Sequence, residues 1–212
     1  AIWCEAKGRE FSKSQIFTRV PGSDYWEGYL PLSHRIIKYP EVANVHENII
    51  SKTGDNVLKE INSLMDTEPL PVNVAFADKG KVYACPEVVI MDTNTENLNA
   101  KRTVNNPSAI MRRFDTIRAT VKPEFRLPPP LCGLDKTKVK DGASMDMWNF
   151  EVVSKHPISN TEWTEQVVYC TSGAQLREEL LKRFRKHIME QEDYMDIQDR
   201  IVSNLPSDEI NK

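Results

Sequence analysis

Apolar and polar positions alternate in short runs over most of this chain, and only its last part carries a long helical stripe. Residues 14–19, SQIFTR, alternate and predict a strand. Residues 34–39, HRIIKY, predict a second, ended by Pro40. Between 47 and 66, Ile50, Val57, Leu58, Ile61, Leu64 and Met65 fall mostly on one face, with Gly54 in the middle, and predict an amphipathic helix. Residues 68–92 form two apolar runs on either side of Asp78-Lys79-Gly80-Lys81, the composition of a hairpin tip. Val88 to Met91 is an unbroken apolar run, which predicts a strand covered on both faces. Residues 115–122, 147–153 and 165–170 predict further strands, and 123–144 a proline-rich loop of functional length. Ser172 and Gln175 have capping-box spacing. Beyond them Leu176, Leu180, Leu181, Phe184 and Ile188 recur at helical intervals, while Arg177, Lys182, Arg183, Arg185 and Lys186 form the opposite face. The sequence then turns acidic and ends in what reads as a frayed tail or linker.

Strands interleaved with helices predict an α/β layered fold. Such folds bind ligands beyond the carboxyl ends of their strands. VVIMDTN (88–94) puts Asp92, Thr93 and Asn94 at such an end. Its Asn either closes the strand through an Asx turn or faces a ligand. NNPSAIMRRFD (105–115) has Pro107 suited to a first helical turn and ends in Arg112 and Arg113. That pair either caps a helix carboxyl end or stabilises charge on a transferring phosphoryl group.

Composition narrows these choices. The chain has 212 residues, 28% of them charged and 40% hydrophobic, which is a folded rather than a disordered balance. The net charge of -3 provides no global basic field, so nucleic acid would need a local patch. No apolar stretch approaches the roughly 20 residues of a membrane span. Cys4, Cys85, Cys132 and Cys170 contain no closely spaced pair, and the four histidines form no ligand motif, which argues against a structural zinc site.

In order and spacing the chain resembles the superfamily 3 helicase ATPases of picorna-like positive-strand RNA viruses. Four stretches carry the likeness: IFTRVPGSDYWEGY, EPLPVNVAFADKGKVYACPEVVIMDTN, NNPSAIMRRFD, and VKPEFR…LD…MDMWNFEVV. The resemblance implies a mostly parallel sheet of AAA+ type with a carboxyl-terminal helix, over a helicase-type domain at 1–155 and an oligomerising strand and helix at 156–212. It assigns Asn94 to sensing a nucleotide γ-phosphate and Arg112 and Arg113 to arginine fingers acting across a subunit boundary. Lys79 and Lys81 become pore-hairpin contacts to single-stranded RNA, where two lysines per subunit multiplied around a ring give a salt-dependent grip. ATP and Mg2+ are the implied cofactors. The implied partners are RNA, further copies of the chain in a ring of hexamer type, and other segments of a viral polyprotein. Membrane association would come through parts outside this chain. The implied setting is a replication complex in the host cytoplasm.

Two features depart from that pattern. No GxxxxGK[ST] occurs in the 212 residues, so the glycine-rich phosphate cradle is missing from them. At the Walker B position, where two acidic residues are expected, stand Pro40 and Glu41. Glu41 alone is left to orient a water or approach magnesium. Hence three readings stand: a replication NTPase whose phosphate loop is supplied upstream, a non-catalytic helicase-like scaffold or oligomerisation module, and an unrelated α/β binding domain.

Overall fold

The computed structural model describes residues 1–20, 22–44, 55–65, 68–74, 80–131, 133–139 and 145–203. In chain order the elements are α1 (Ile2–Ala6), β1 (Ile16–Thr18), β2 (Ile36–Tyr39), α2 (Asn56–Leu64), β3 (Leu70–Pro71), β4 (Tyr83–Ala84) and β5 (Val88–Met91). Then come α3 (Ala100–Thr103), α4 (Pro107–Met111), β6 (Thr116–Val121), β7 (Trp148–Pro157), β8 (Trp163–Cys170) and α5 (Gly173–Ser203). The chain divides into two compact units. One holds residues 1–11, 121–149 and 170–212; the other holds 12–120 and 150–169. The boundary expected at 155/156 falls inside β7.

The larger unit is built on a parallel sheet ordered β1-β2-β5. Ile16, Phe17 and Thr18 pair with Ile36, Ile37 and Lys38, and β2 pairs onward with Val88 to Met91. Side chains alternate across a strand, so Phe17, Ile37, Tyr39, Val89 and Met91 share one face. Ile37, fully buried, and Tyr39, 2% exposed, belong to the main core, and the half-buried Phe17, Val89 and Met91 pack against it. Helix α2 covers that face. Its start is fixed by Asp55, whose carboxylate accepts from the Leu58 N–H at 3.0 Å. Leu58 and Ile61, 1% and 0% exposed, are pressed into the core. Truncating either to Ala costs roughly 2–5 kcal/mol. The part of the expected 47–66 helix before 55 lies outside the described residues.

The run from Val88 to Met91 differs from its expectation. It is a strand, but Ile90 is 45% exposed. Among the described residues β5 is the edge of its sheet and only the Val89–Met91 face meets the core. The expected hairpin at 78–81 is flanked by an antiparallel pairing of β3 with β4, while 75–79 lie outside the described residues. A second sheet is ordered β6-β7-β8, and the turn between its last two strands is closed by the Ile158 N–H to the Glu162 carbonyl, 2.9 Å.

In the smaller unit α1 packs on α5. Trp3 meets Phe184 edge-on at 5.3 Å between ring centroids, and Arg177 pairs with Glu5 at 2.5 Å. Half the capping box forms: the Gln175 N–H donates to Ser172 Oγ at 3.2 Å, but Gln175 Oε1 accepts from Thr171 rather than from Ser172. Helix α5 runs beyond its apolar stripe to Ser203, through the whole acidic stretch. No helix among the described residues is long and apolar enough to cross a membrane.

Candidate functional site at the parallel strand tips

Three parallel strands end together, and the chain turns away from each through a polar segment. Beyond β1, Arg19 is 7% exposed. Its guanidinium donates to Glu60 through Nε (3.0 Å) and Nη2 (3.2 Å), and to the carbonyls of Ser23 (2.7 Å) and Tyr25 (3.2 Å). Glu60 also accepts from Tyr39 Oη at 2.7 Å and Trp26 Nε1 at 3.3 Å. Trp26 lies against both the Arg19 guanidinium and the Phe17 ring. Burial, and after it the Glu60 charge, pushes the Tyr39 hydroxyl well above its ordinary value, so it stays a donor. One carboxylate from α2 thus ties the ends of β1 and β2 to the helix. Tyr39 is two residues before Glu41.

Pro40 ends β2, and the backbone then adopts the left-handed region at Glu41 (φ 51°) and Ala43 (φ 61°). Neither is a glycine, so both carry strain. The reversal brings the Glu41 N–H onto Asp92 Oδ1 at 2.8 Å, while Lys38 Nζ lies 3.2 Å from Asp92 Oδ2. The Glu41 N–H, and with it the Lys38 ammonium, holds the Asp92 carboxyl below the usual carboxylate range. Thr93 closes the end of β5. Its Oγ donates to the Val42 carbonyl at 2.6 Å and accepts from the Thr95 N–H at 3.0 Å. The turn-closing role open to Asn94 therefore belongs to Thr93. Asn94 is exposed, and its amide makes no hydrogen bond among the described residues.

The strand tips thus bring Glu41 onto Asp92, with Asn94 two residues further along the chain. Arg112 and Arg113 sit elsewhere in the same unit, at the end of α4. That helix starts as expected, with Pro107 in its first turn and the Asn106 side chain accepting from the Ala109 N–H at 3.1 Å. Arg112 is exposed with no ion pair among the described residues, and borders a cleft of about 260 Å³ lined also by Asn106, Ser108 and Ser159. Arg113 is held, donating to the Asn62 side chain at 2.7 Å and the Asn62 carbonyl at 3.3 Å. Lys81 is exposed beside Gly80, whose φ of 77° suits a turn. Lys79 lies outside the described residues.

An exposed amide and an unpaired guanidinium are donors that fit phosphate oxygens. Magnesium is served less well. Both Asp92 oxygens have partners, and Glu41 Oε2 accepts from Asn44 Nδ2 at 3.1 Å. One carboxylate with one open oxygen could join a magnesium ion only alongside phosphate ligands. Among the described residues no three His, Cys, Asp or Glu side chains are placed to hold a metal.

Residues 4–95 match the RNA helicase family model. That stretch is consistent with a superfamily 3 viral helicase-like domain. It takes in the whole parallel sheet, Glu41 and Asn94, and stops before Arg112 and Arg113. No curated protein matches the chain.

Sequence reasoning missed Glu60, Lys38 and Thr93. Glu60 could have been found: it is a lone acid in line with Val57 and Leu64, three and four residues away on the face of α2 that packs inward.

Proposed function

We propose that this chain is part of an NTPase or helicase of viral RNA replication, with nucleotide at a subunit interface and single-stranded RNA in a central pore. What carries the reading is the helicase match over a parallel sheet whose carboxyl-terminal edge holds Glu41 against Asp92 and leaves Asn94, two residues on, uncommitted. Arg112, exposed on the same unit, supports a role toward the nucleotide of a neighbouring copy. Arg113, anchored to α2, serves to position the α4 end. Lys79 and Lys81 supply the backbone grip on RNA, and the setting is a replication complex in the host cytoplasm.

RNA binding is tested by anisotropy of a labelled single-stranded RNA against salt. Binding weakens log-linearly with salt, and Lys79→Ala with Lys81→Ala lowers the slope by about one to two. A flat salt response, or a slope unchanged by these substitutions, overturns the RNA assignment. The nucleotide assignment is tested with a fluorescent ATP analogue and magnesium. Asn94→Ala and Arg112→Ala each weaken binding, and an equimolar mixture recovers part of it because one site in four combines the intact Asn94 of one variant with the intact Arg112 of the other. A mixture no better than either variant overturns the shared interface.

A second reading has its own support. Pro40 stands where a carboxylate is expected, Asp92 is already bonded through both oxygens, and Glu41 has one oxygen open. A non-catalytic helicase-like scaffold fits those facts. Phosphate release above background in the presence of RNA would rule it out.

A further inference from the structure

Glu96 lies two residues past Asn94, and its carboxylate is held from the second sheet. Arg118, on β6, donates to Glu96 Oε1 through Nε at 2.9 Å and again through Nη2. The same guanidinium donates from Nη1 to Glu151 on β7 at 3.2 Å, and from Nη2 to Glu165 on β8 at 2.7 Å. One side chain therefore links all three strands of that sheet to the segment leaving β5, and all of these residues belong to the larger unit. On the other side, the chain around Asn94 is fastened to the turn after β2. Thr93 Oγ donates to the Val42 carbonyl at 2.6 Å, and Thr95 Oγ to the Ala43 carbonyl at 3.4 Å. Asn94 stands between these anchors with its own amide uncommitted. Glu151 and Glu165 already give Arg118 two carboxylates from its own sheet. Glu96 is the most exposed of the three, at 47%, where an ion pair adds little stability. What the third contact does is fix a position.

We propose that Arg118 is a positioning residue for Asn94: through Glu96 it fixes the backbone from which the Asn94 amide reaches a bound nucleoside triphosphate. The inference rests on the nucleotide reading given above. Two residues of chain span at most about 7 Å, so releasing Glu96 from Arg118 loosens the peptide that carries Asn94. Misplacing a site group by about 1 Å can cost on the order of a hundredfold. Thr93 and Thr95 still hold their side, so a loss of about tenfold in affinity is expected. The sign of the effect separates positioning from the general field. Removing the Glu96 carboxylate takes negative charge away from the tips, and through the field alone it would tighten binding of a triphosphate. Removing Arg118 would weaken it. Only loss of position makes both changes weaken binding.

The test titrates the full chain with a fluorescent ATP analogue and magnesium. Glu96→Ala and Arg118→Ala are each expected to weaken binding about tenfold, and the double variant to be no weaker than the worse single one. In an Asn94→Ala background, Glu96→Ala is expected to change nothing further, which a merely structural role would not produce. Glu96→Ala leaves the contacts of Arg118 with Glu151 and Glu165 intact, so it carries the test alone should Arg118→Ala fail to fold; urea unfolding checks both. If Asn94→Ala weakens binding while Glu96→Ala binds as wild type or more tightly, the positioning role is overturned and the nucleotide reading stands. Equal losses from Glu96→Ala with and without the Asn94 amide overturn it in the same way. If wild type does not bind, or Asn94→Ala binds as wild type does, the nucleotide role of Asn94 falls and the positioning role falls with it.

Discussion

Glu60 holds the ends of two strands to a helix, and its removal tests whether the tips depend on that tie. Glu60→Ala leaves the Arg19 guanidinium, 7% exposed, without its counter-charge. It also strips Tyr39 Oη and Trp26 Nε1 of their acceptor. Breaking a buried ion pair from one side costs roughly 3–5 kcal/mol. Two features place this case at the low end. The Glu60 side chain is 24% exposed, so water repays part of the loss, and the carbonyls of Ser23 and Tyr25 still accept from Arg19. The expected cost is therefore about 3 kcal/mol, with about 2 kcal/mol for Glu60→Gln, which keeps an acceptor but loses the charge. Urea unfolding reads this as a shift of midpoint at constant slope, and thermal unfolding as a fall in Tm of roughly 6 to 12 °C.

A double-mutant cycle with Arg19→Ala makes the reasoning refutable. Once either partner is gone, losing the other costs little more, so Arg19→Ala/Glu60→Ala should be only slightly worse than the worse single variant. Simple addition of the two single costs would show that the groups act separately. A cost below about 1 kcal/mol for Glu60→Ala would show that the network is solvated in solution.

Three further outcomes follow from the same geometry. Arg118 lies among Glu96, Glu151 and Glu165, 3.2 Å from Glu151 and 2.7 Å from Glu165; Arg118→Ala leaves three carboxylates to repel one another, and is expected to cost about 2 kcal/mol at low salt and visibly less at high salt, measured by urea unfolding. Asp92 has a depressed carboxyl pKa, so its contribution is fully present above the unfolded value of about 3.9 and disappears as pH falls below it; because the side chain is 55% exposed, Asp92→Asn should flatten the acid side of the stability curve by less than about 1 kcal/mol, and an unaltered acid limb would contradict the assignment. Glu41→Gly relieves a left-handed φ worth about 1–2 kcal/mol against an entropy cost of about 0.5–1, so it should stabilise the fold slightly while removing the carboxylate; destabilisation would show that the strain estimate is wrong.

Much of the architecture was legible because it follows from periodicity. The apolar spacing of α2 and the alternation in β1 and β2 reflect the faces they bury. The stripe of α5 was visible to Ile188 but its end was not. Residues 189–199 are all exposed, so the helix there rests on local propensity and i,i+4 pairs, which an apolar-stripe argument does not register. The one-sided exposure of β5 was hidden because an unbroken apolar run has no period. At the tips, residue types showed a polar strand end, but the division of labour depended on tertiary partners. The sequence offered only Asn94 to close the strand; that Thr93 does so instead depends on the Val42 carbonyl lying within reach of its hydroxyl. Arg112 and Arg113, identical in sequence terms, were separated only by Asn62 lying beneath one of them.

That separation bears on function more than any match of type. A strand end that only needed closing could be closed at little cost by a glycine turn, yet here the chain holds Glu41 and Ala43 in left-handed backbone. The result is an Asp92 carboxylate fixed from both sides and a Thr93 hydroxyl that takes over the turn, with Asn94 left over. Strain of this kind persists only where surrounding contacts over-determine it, and the Glu60 hub two residues away is such a contact. The arrangement uses buried polar bonds, which stabilise little for the desolvation they require, to present one uncommitted amide at the carboxyl end of a parallel sheet. In a purely structural strand end the amide of Asn94 would be dispensable, and Asn94→Ala would leave every binding measurement unchanged. A ligand site at these tips requires the opposite: loss of binding with the unfolding midpoint intact.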